Sequence, residues 1–397
     1  MGTDTLPQIE HIIVVMMENH SFDNYFGTLG RGDGFTVDSQ GRPTAVNLDA
    51  TGRAIHAFHM PTTCQLPHQP SQSWNASHIQ WNGGRLDGFV RSASGPVAMG
   101  YWTQPDLPFY HGLARTFPLA DRWFASCLSQ TFPNRRFLLA GTALGWVYDQ
   151  TPSTTDPLPP NGTILDRLNE HGISWKNYYS DLPQVGVFLP ALVANAGRVR
   201  KIDEYFADAA AGTLPAFSLV DPHFADSSEE NPRDIELGEA FAARVINAAM
   251  HGPGWAKTLL VWLYDEHGGY YDHVPPPPAV KPDDVPPHLA PTDVPGAYDR
   301  YGFRVPAVVV SPYARPGYVS HVVHDHTSIL KLVESKWNLP ALTYRDANAD
   351  DLLDFIDVAS RPAFLTPPTL PAPANATGVS SCAKSGPGVI PPPDAVG

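Results

Sequence analysis

Two short acidic segments carry the chemistry that can be read first. Glu18-Asn19-His20-Ser21-Phe22-Asp23 follows directly on the apolar run Ile12-Ile13-Val14-Val15-Met16-Met17. Asp265-Glu266-His267-Gly268-Gly269, continued by Tyr270-Tyr271-Asp272-His273, follows directly on Thr258-Leu259-Leu260-Val261-Trp262-Leu263-Tyr264. Each opens where a buried strand is expected to end, and in open parallel sheets ligand sites form beyond the carboxyl ends of the strands. The carboxylates of Glu18, Asp265 and Glu266 and the amide oxygen of Asn19 are hard oxygen donors. They suit Ca2+, Mg2+ or Mn2+ and are compatible with Zn2+. A single cluster of this kind is commonly a solvated turn; two at equivalent strand ends favour a shared cation site.

A third segment is Ser129-Gln130-Thr131-Phe132-Pro133-Asn134-Arg135-Arg136-Phe137. Proline suits the first turn of a helix, and Phe137-Leu138-Leu139-Ala140 continues one, so Thr131 is expected near a helix N-terminus. Free N–H groups and the helix dipole attract phosphate there. The Thr131 hydroxyl could cap that helix, the commoner role, or attack a phosphorus atom. Among 16 histidines, His68, His78, His223, His267, His273, His321, His324 and His326 lie in irregular stretches. Any one of them is more often structural, but together with the acidic strand ends they suit a site that handles protons, metal or phosphate.

The frame that must position these groups reads as alternating strands and helices. Strands are expected at 11–17, 173–179, 215–220, 258–264 and 305–311, each an apolar or β-branched run bounded by turn residues. Phe241, Val245, Ile246 and Ala249 recur at helical spacing, as do Ile329, Val333 and Trp337. The alternation predicts an α/β fold with a mostly parallel sheet covered by helices on both faces. Residues 27–104 and 275–300 are long, loop-rich stretches, and loops of that length usually cover a functional site. From residue 366 on, Pro367-Pro368 and Pro391-Pro392-Pro393 predict an extended or disordered tail.

Composition narrows the partners. With 26 Lys+Arg against 40 Asp+Glu, the net charge of the 397-residue chain is −14. That excludes nonspecific nucleic-acid binding, which needs cationic side chains to displace phosphate counterions. It also leaves at most transient contact with a membrane surface. The longest strongly apolar run has six residues, far short of the roughly 20 that span a bilayer. The N-terminus shows no signal peptide, so the chain is expected to be cytoplasmic, or secreted with its signal removed. Cys64, Cys127 and Cys382 are too far apart for a zinc cage and allow at most one bridge. A G-x-S-x-G elbow, a Walker A loop and an HExxH motif are all absent.

Taken in order, the three chemical segments resemble the phosphoesterase family that holds bacterial and plant phosphatidylcholine-type phospholipases C with a group of acid phosphatases. The resemblance extends to Trp81-Asn82-Gly83-Gly84, Asp87-Gly88-Phe89, Leu107-Pro108-Phe109-Tyr110 and Arg304-Val305-Pro306, and runs from about residue 8 to about residue 340. It implies an alkaline-phosphatase-like α/β/α sandwich; the loop-rich stretches and the proline-rich end are read as a single domain over 1–365, with 27–104 and 275–300 inserted over the site and 366–397 as a tail. It also implies metal-assisted hydrolysis of a phosphoester in two displacements. By this resemblance Thr131 is the nucleophile, and Glu18, Asn19, Asp265 and Glu266 hold or adjoin a divalent metal (Ca2+, Mn2+, Mg2+ or Zn2+). His68, Asn134 and His326 are implied as phosphate or substrate contacts. Asn231 stands where the family commonly has histidine before proline, so this chain would use asparagine, another histidine or water there.

The expected substrate is a phospholipid or small phosphoester, cleaved as a diester by a phospholipase C or as a monoester by an acid phosphatase. A noncatalytic phosphoester-binding protein is the third possibility. Trp74, Trp81, Phe89, Tyr101 and Trp102 could form a cage for a choline cation, or simply pack the long loops.

Overall fold

Seven-residue runs such as HIIVVMM and TLLVWLY carry too much branched apolar surface to lie at a boundary with water, and they form the two central strands. The computed structural model describes residues 3–65, 70–380 and 382. Its main sheet has eight strands: β1 (His11–Met17), β2 (Leu119–Ala120), β3 (Trp175–Tyr179), β4 (Val199–Lys201), β5 (Phe217–Asp221), β6 (Thr258–Tyr264), β7 (Ala307–Val310) and β8 (Val319–Ser320). Their spatial order is β8-β2-β7-β6-β1-β5-β3-β4. Neighbouring pairs are parallel except that β7 runs against both β6 and β2. β6 is buried along its whole length and β1 everywhere but His11, as expected of strands covered on both faces.

Helices surround this sheet. In Ile235–His251 the side chains of Phe241, Val245, Ile246 and Ala249 are buried, and in His326–Trp337 those of Ile329, Val333 and Trp337, so the helical spacing does mark the packed faces. All seven join one apolar cluster with β1, β5, β6 and β7. The result is an α/β fold with a mixed, mostly parallel sheet. The five expected strands all form. β2, β4 and β8, of two or three residues each, complete its edges.

Within 27–104 lie two small pairings, Val46–Leu48 with Ala54–His56 and Phe58–His59 with Gly100–Tyr101, and the helix Trp74–Trp81. Residues 275–300 run without helix or strand, joined to themselves by a bridge between Pro278 and Arg300. Residues 366–380 run over the body without helix or strand, turning at 376–377. Ala374 N–H donates to Glu239 Oε2 at 3.0 Å and Ser380 Oγ to Asp234 at 2.7 Å. Cys382 is disulfide-bonded to Cys64, and Cys127 is buried and free. Among the described residues no helix is long and apolar enough to cross a membrane.

Candidate active site

The parallel register of β1 and β6 pairs Met17 with Tyr264, so Glu18 and Asp265 leave the sheet side by side. The Asp265 N–H still donates to Met17 O at 3.2 Å, and the Glu18 N–H donates to Ser228 O at 2.9 Å. Asn19 then adopts a left-handed φ of 85°. Its carbonyl lies where a Cβ on Gly268 would stand, 1.9 Å away, so only glycine lets the two strand-end turns close on each other.

Thr131 opens the helix Thr131–Ala140, and the N-cap position belongs to Gln130. The Thr131 hydroxyl is not used as the cap, because Asp149 takes the neighbouring Phe132 N–H at 2.7 Å. One turn on, Arg135 reaches back beneath the strand ends. Its Nε donates to Asp265 Oδ2 at 3.0 Å, its Nη1 donates to Gln184 Oε1 at 2.8 Å, and its Nη2 lies 3.3 Å from Glu18 Oε1. Asp221, at the end of β5, completes the ring at 3.9 Å. Glu266 is held separately, accepting from Gly268 N–H at 2.8 Å with His267 Nδ1 3.3 Å away.

One guanidinium does not neutralise this group. Burial raises the Glu18 carboxyl well above its ordinary range against the opposing pull of Arg135, with Asp265 and Glu230 adding to the rise. Burial, then the charge of Asp265, does the same to Glu266. Asp265 is also raised, by burial, although Arg135 resists. Among the described residues, the buried Oε1 of Glu266 and both amide atoms of Asn19 have no hydrogen-bond partner. Each such orphan costs about 1–3 kcal/mol unless something fills it. Hard oxygen donors, an excess of buried acid and unpaired atoms together fit a divalent cation.

Glu18 and Asp265 are nevertheless spread around Arg135, with Glu266 apart from it, rather than drawn to a point. Among the described residues the group of three whose ligand atoms lie within 4.8 Å of one another is Asp23, Asp272 and His273. That group could hold a metal ion, but Arg304 already bridges it, at 2.8 Å from Asp272 and 3.1 Å from Asp23.

Thr131, Glu18 and Arg135 open on a cleft of about 460 Å³. Its far wall is apolar: Leu182, Pro183, Gly186, Val187, Leu189 and Leu192, with Phe132, Pro152 and Phe224 alongside. Two further acids line the cleft: Asp149, from an undistinguished polar loop, and Glu230, which directly precedes Asn231 but is not marked as a site residue by its sequence. Asp149 is exposed as a residue, but desolvation of its carboxyl, helped by Asp265 and Glu230, pushes it up to about 7 against the Phe132 hydrogen bond; solvent at the mouth moderates that shift. Glu230 is raised by burial and by Asp265. Behind it, Glu229 anchors the loop: its carboxylate accepts from the hydroxyls of Tyr25, Tyr110 and Tyr264 at 2.6, 2.5 and 2.5 Å.

The remaining expected residues divide. The Asn134 amide is engaged with backbone, accepting from Cys127 N–H at 3.0 Å and donating to Ser129 O at 2.9 Å. His326 is fully buried and its Nε2 meets Asp265 O at 2.7 Å, bracing a strand end. Asn231 lies beside Glu230, its Oδ1 2.9 Å from the Tyr270 hydroxyl and its Nδ2 without a partner among the described residues. His68 lies outside the described residues. His78, His223, His321 and His324 are paired elsewhere, with Trp74 O, Asp181 and Asp226, Asp121, and Asp354.

The aromatic residues of the long loop form no cage. Trp74, Phe89 and Trp102 are fully buried, Trp74 and Trp102 donating to Val294 O and Thr62 O. Trp81 is covered by Arg300 at 4.5 Å, and none of the five residues lines the cleft. Packing the loop takes up these rings.

The Phosphoesterase family model matches residues 9–340. The chain is 30% identical to Phospholipase C A of Mycobacterium tuberculosis over 420 residues, covering 91% of this chain and 80% of that protein. It is 30% identical to Non-specific phospholipase C1 of Arabidopsis thaliana over 404 residues, covering 91% and 74%. Among solved structures, a protein in the alkaline phosphatase superfamily from Vibrio parahaemolyticus aligns with a TM-score of 0.40 and 11% identity, over 78% of this chain and 71% of that one. Matched over most of its length, the chain belongs to the Phosphoesterase family and is a phosphoric ester hydrolase.

Proposed function

We propose that the protein is a phospholipase C that hydrolyses phosphodiesters such as phosphatidylcholine, with a divalent cation and a phosphothreonine intermediate. The observation that carries this reading is the position of Thr131, in the first turn of its helix and on a cleft shared with Glu18. Glu18, Asn19, Asp265 and Glu266 would hold the cation. When bound, it would supply positive charge to lower the pKa of the Thr131 hydroxyl and to offset charge on the phosphoryl oxygens.

The chain's own groups account for the rest. The positive end of the helix dipole under Thr131 would attract a phosphoryl oxygen, while the Phe132 N–H stays with Asp149 and Pro133 has none to give. Thr131 Oγ forms the new bond to phosphorus as the bond to the glycerol oxygen breaks. The hydroxyl proton passes to a cleft carboxylate, for which Asp149 and Glu230 are the candidates, and the departing oxygen takes up a proton. Water then hydrolyses the phosphothreonine and restores Thr131. Asn231, His68 and, through Asp265, His326 would serve the phosphoryl group or its surroundings, and Asn134 would brace the loop before Thr131.

The cleft favours a diester over a monoester. Acids outnumber the one buried guanidinium, which suits a singly charged phosphodiester and a cationic head group better than a dianion. The apolar wall suits a lipid substituent. The test compares hydrolysis of p-nitrophenyl phosphorylcholine with p-nitrophenyl phosphate, with and without chelator, in the native protein and Thr131→Ala. Diester preference that disappears in the variant is expected. Monoester preference would make the protein an acid phosphatase, and absence of turnover of either ester a binding protein.

A further inference from the structure

We infer that residues 182–194 form a docking surface for a phospholipid bilayer; this deepens the phospholipase reading and rests on it. The segment reads Leu-Pro-Gln-Val-Gly-Val-Phe-Leu-Pro-Ala-Leu-Val-Ala and folds as a single 3-10 turn, Gln184–Val187, followed by the helix Leu189–Ala194. Its inner side chains, among them Leu189 and Leu192, are the apolar wall of the cleft. Leu182 and Val193 are each 62% exposed.

Isolated exposed apolar residues are ordinary on protein surfaces. Here the exposed residues belong to the same segment that lines the cleft, so a bilayer resting on them would bring the glycerol end of a lipid to the apolar wall. Charge agrees with that partner. In a chain of net charge −14, residues 182–201 contain no acid and end in Arg198, Arg200 and Lys201. Arg198 and Lys201 lie over the rings of Trp175 and Tyr179, at 5.5 and 4.1 Å. Asp181, just before the segment, is turned to the backbone N–H groups of Leu182 and Phe224. Trp175 is buried in the core and Arg200 is paired with Glu204 at 3.4 Å, which leaves exposed Leu182 and Val193 with the long cationic side chains of Arg198 and Lys201 near them, a combination that suits the headgroup boundary of a bilayer.

The test uses Val193, which does not line the cleft. Val193→Asp should keep turnover of soluble p-nitrophenyl phosphorylcholine within about twofold. On phosphatidylcholine vesicles it should lose about tenfold, the scale of removing one apolar anchor and adding a charge at the interface. Val193→Trp should raise the fraction that co-sediments with the vesicles. Equal effects on soluble and vesicle substrate, or co-sedimentation unchanged by both variants, would overturn the inference. Co-sedimentation needs no turnover, so it also separates the two readings. Wild-type binding that Val193→Asp reduces upholds docking even in a protein that cleaves no lipid, whereas a wild type that stays in solution refutes it.

Discussion

Arg135 Nε and Asp265 Oδ2 meet at 3.0 Å with both side chains buried, and the same guanidinium lies 3.3 Å from Glu18. Positive charge is therefore built into the strand-end site by the helix that carries Thr131. Arg135→Ala would leave those carboxylates buried and unpaired. We expect a loss of about 3–5 kcal/mol in folding stability, measured by urea denaturation in the presence of chelator. A stability within 1 kcal/mol of native would mean that water reaches these acids freely.

A divalent cation should raise the melting temperature, because binding to the folded state alone adds about 2.7 kcal/mol at a ligand concentration 100 times Kd. Glu266→Gln should flatten this response. His273→Gln should leave it intact, because Arg304 bridges the Asp23–Asp272–His273 group. A response lost in His273→Gln and kept in Glu266→Gln would move the cation to the second cluster. Thermal melts against Ca2+, Mn2+, Mg2+ and Zn2+ read this without any substrate.

Thr131→Ser should keep turnover within about tenfold, since it retains the hydroxyl, while Thr131→Ala should lose at least about 10³-fold. Acid-quenched wild type with a fast-leaving diester should carry a phosphoryl group on the peptide containing Thr131, detected by mass spectrometry. Label on another residue would reassign the nucleophile.

His273 supplies a pH dependence outside the site. Burial disfavours its charged ring, but the 2.7 Å hydrogen bond to Asp23 and the charges of Asp23 and Asp272 prevail, raising it from 6.5 to about 9. A group raised on folding contributes fully below its unfolded pKa, and the contribution is lost as pH climbs through the folded one. Native protein should therefore lose stability between pH 6.5 and 9. The loss is at most about 3 kcal/mol before solvent screening. Denaturation of His273→Gln across that window should show a shallower slope; parallel slopes would remove the ion pair from the account.

What could be read without coordinates depended on length and continuity. The runs at 11–17 and 258–264 announce themselves because a strand covered on both faces has no polar positions to blur it. Leu119–Ala120 and Val319–Ser320 are too short for any periodicity, and join the sheet because longer neighbours leave edges open. At the site, Glu18, Asn19, Asp265 and Glu266 were legible because they abut those runs. Asp149 and Glu230 were not, because they arrive from separate loops and only the tertiary fold sets them beside Thr131. Arg135 was visible in its motif, but its role as counter-charge to three strand-end acids depends on how its helix docks. The loop aromatic residues left two readings open for the opposite reason: ring-rich composition is common to cages and to packed loops, and burial decides between them.

The pairing of Met17 with Tyr264 has a consequence for how the molecule is made. Residues 247 positions apart must meet in one register before Glu18 stands beside Asp265, and a slip of a single residue would turn one of them to the opposite face of the sheet. Contacts that distant in sequence close late and slowly. Neither half of the chain can assemble the site by itself, so the return of enzymatic turnover during refolding would time the zipping of the central strand pair.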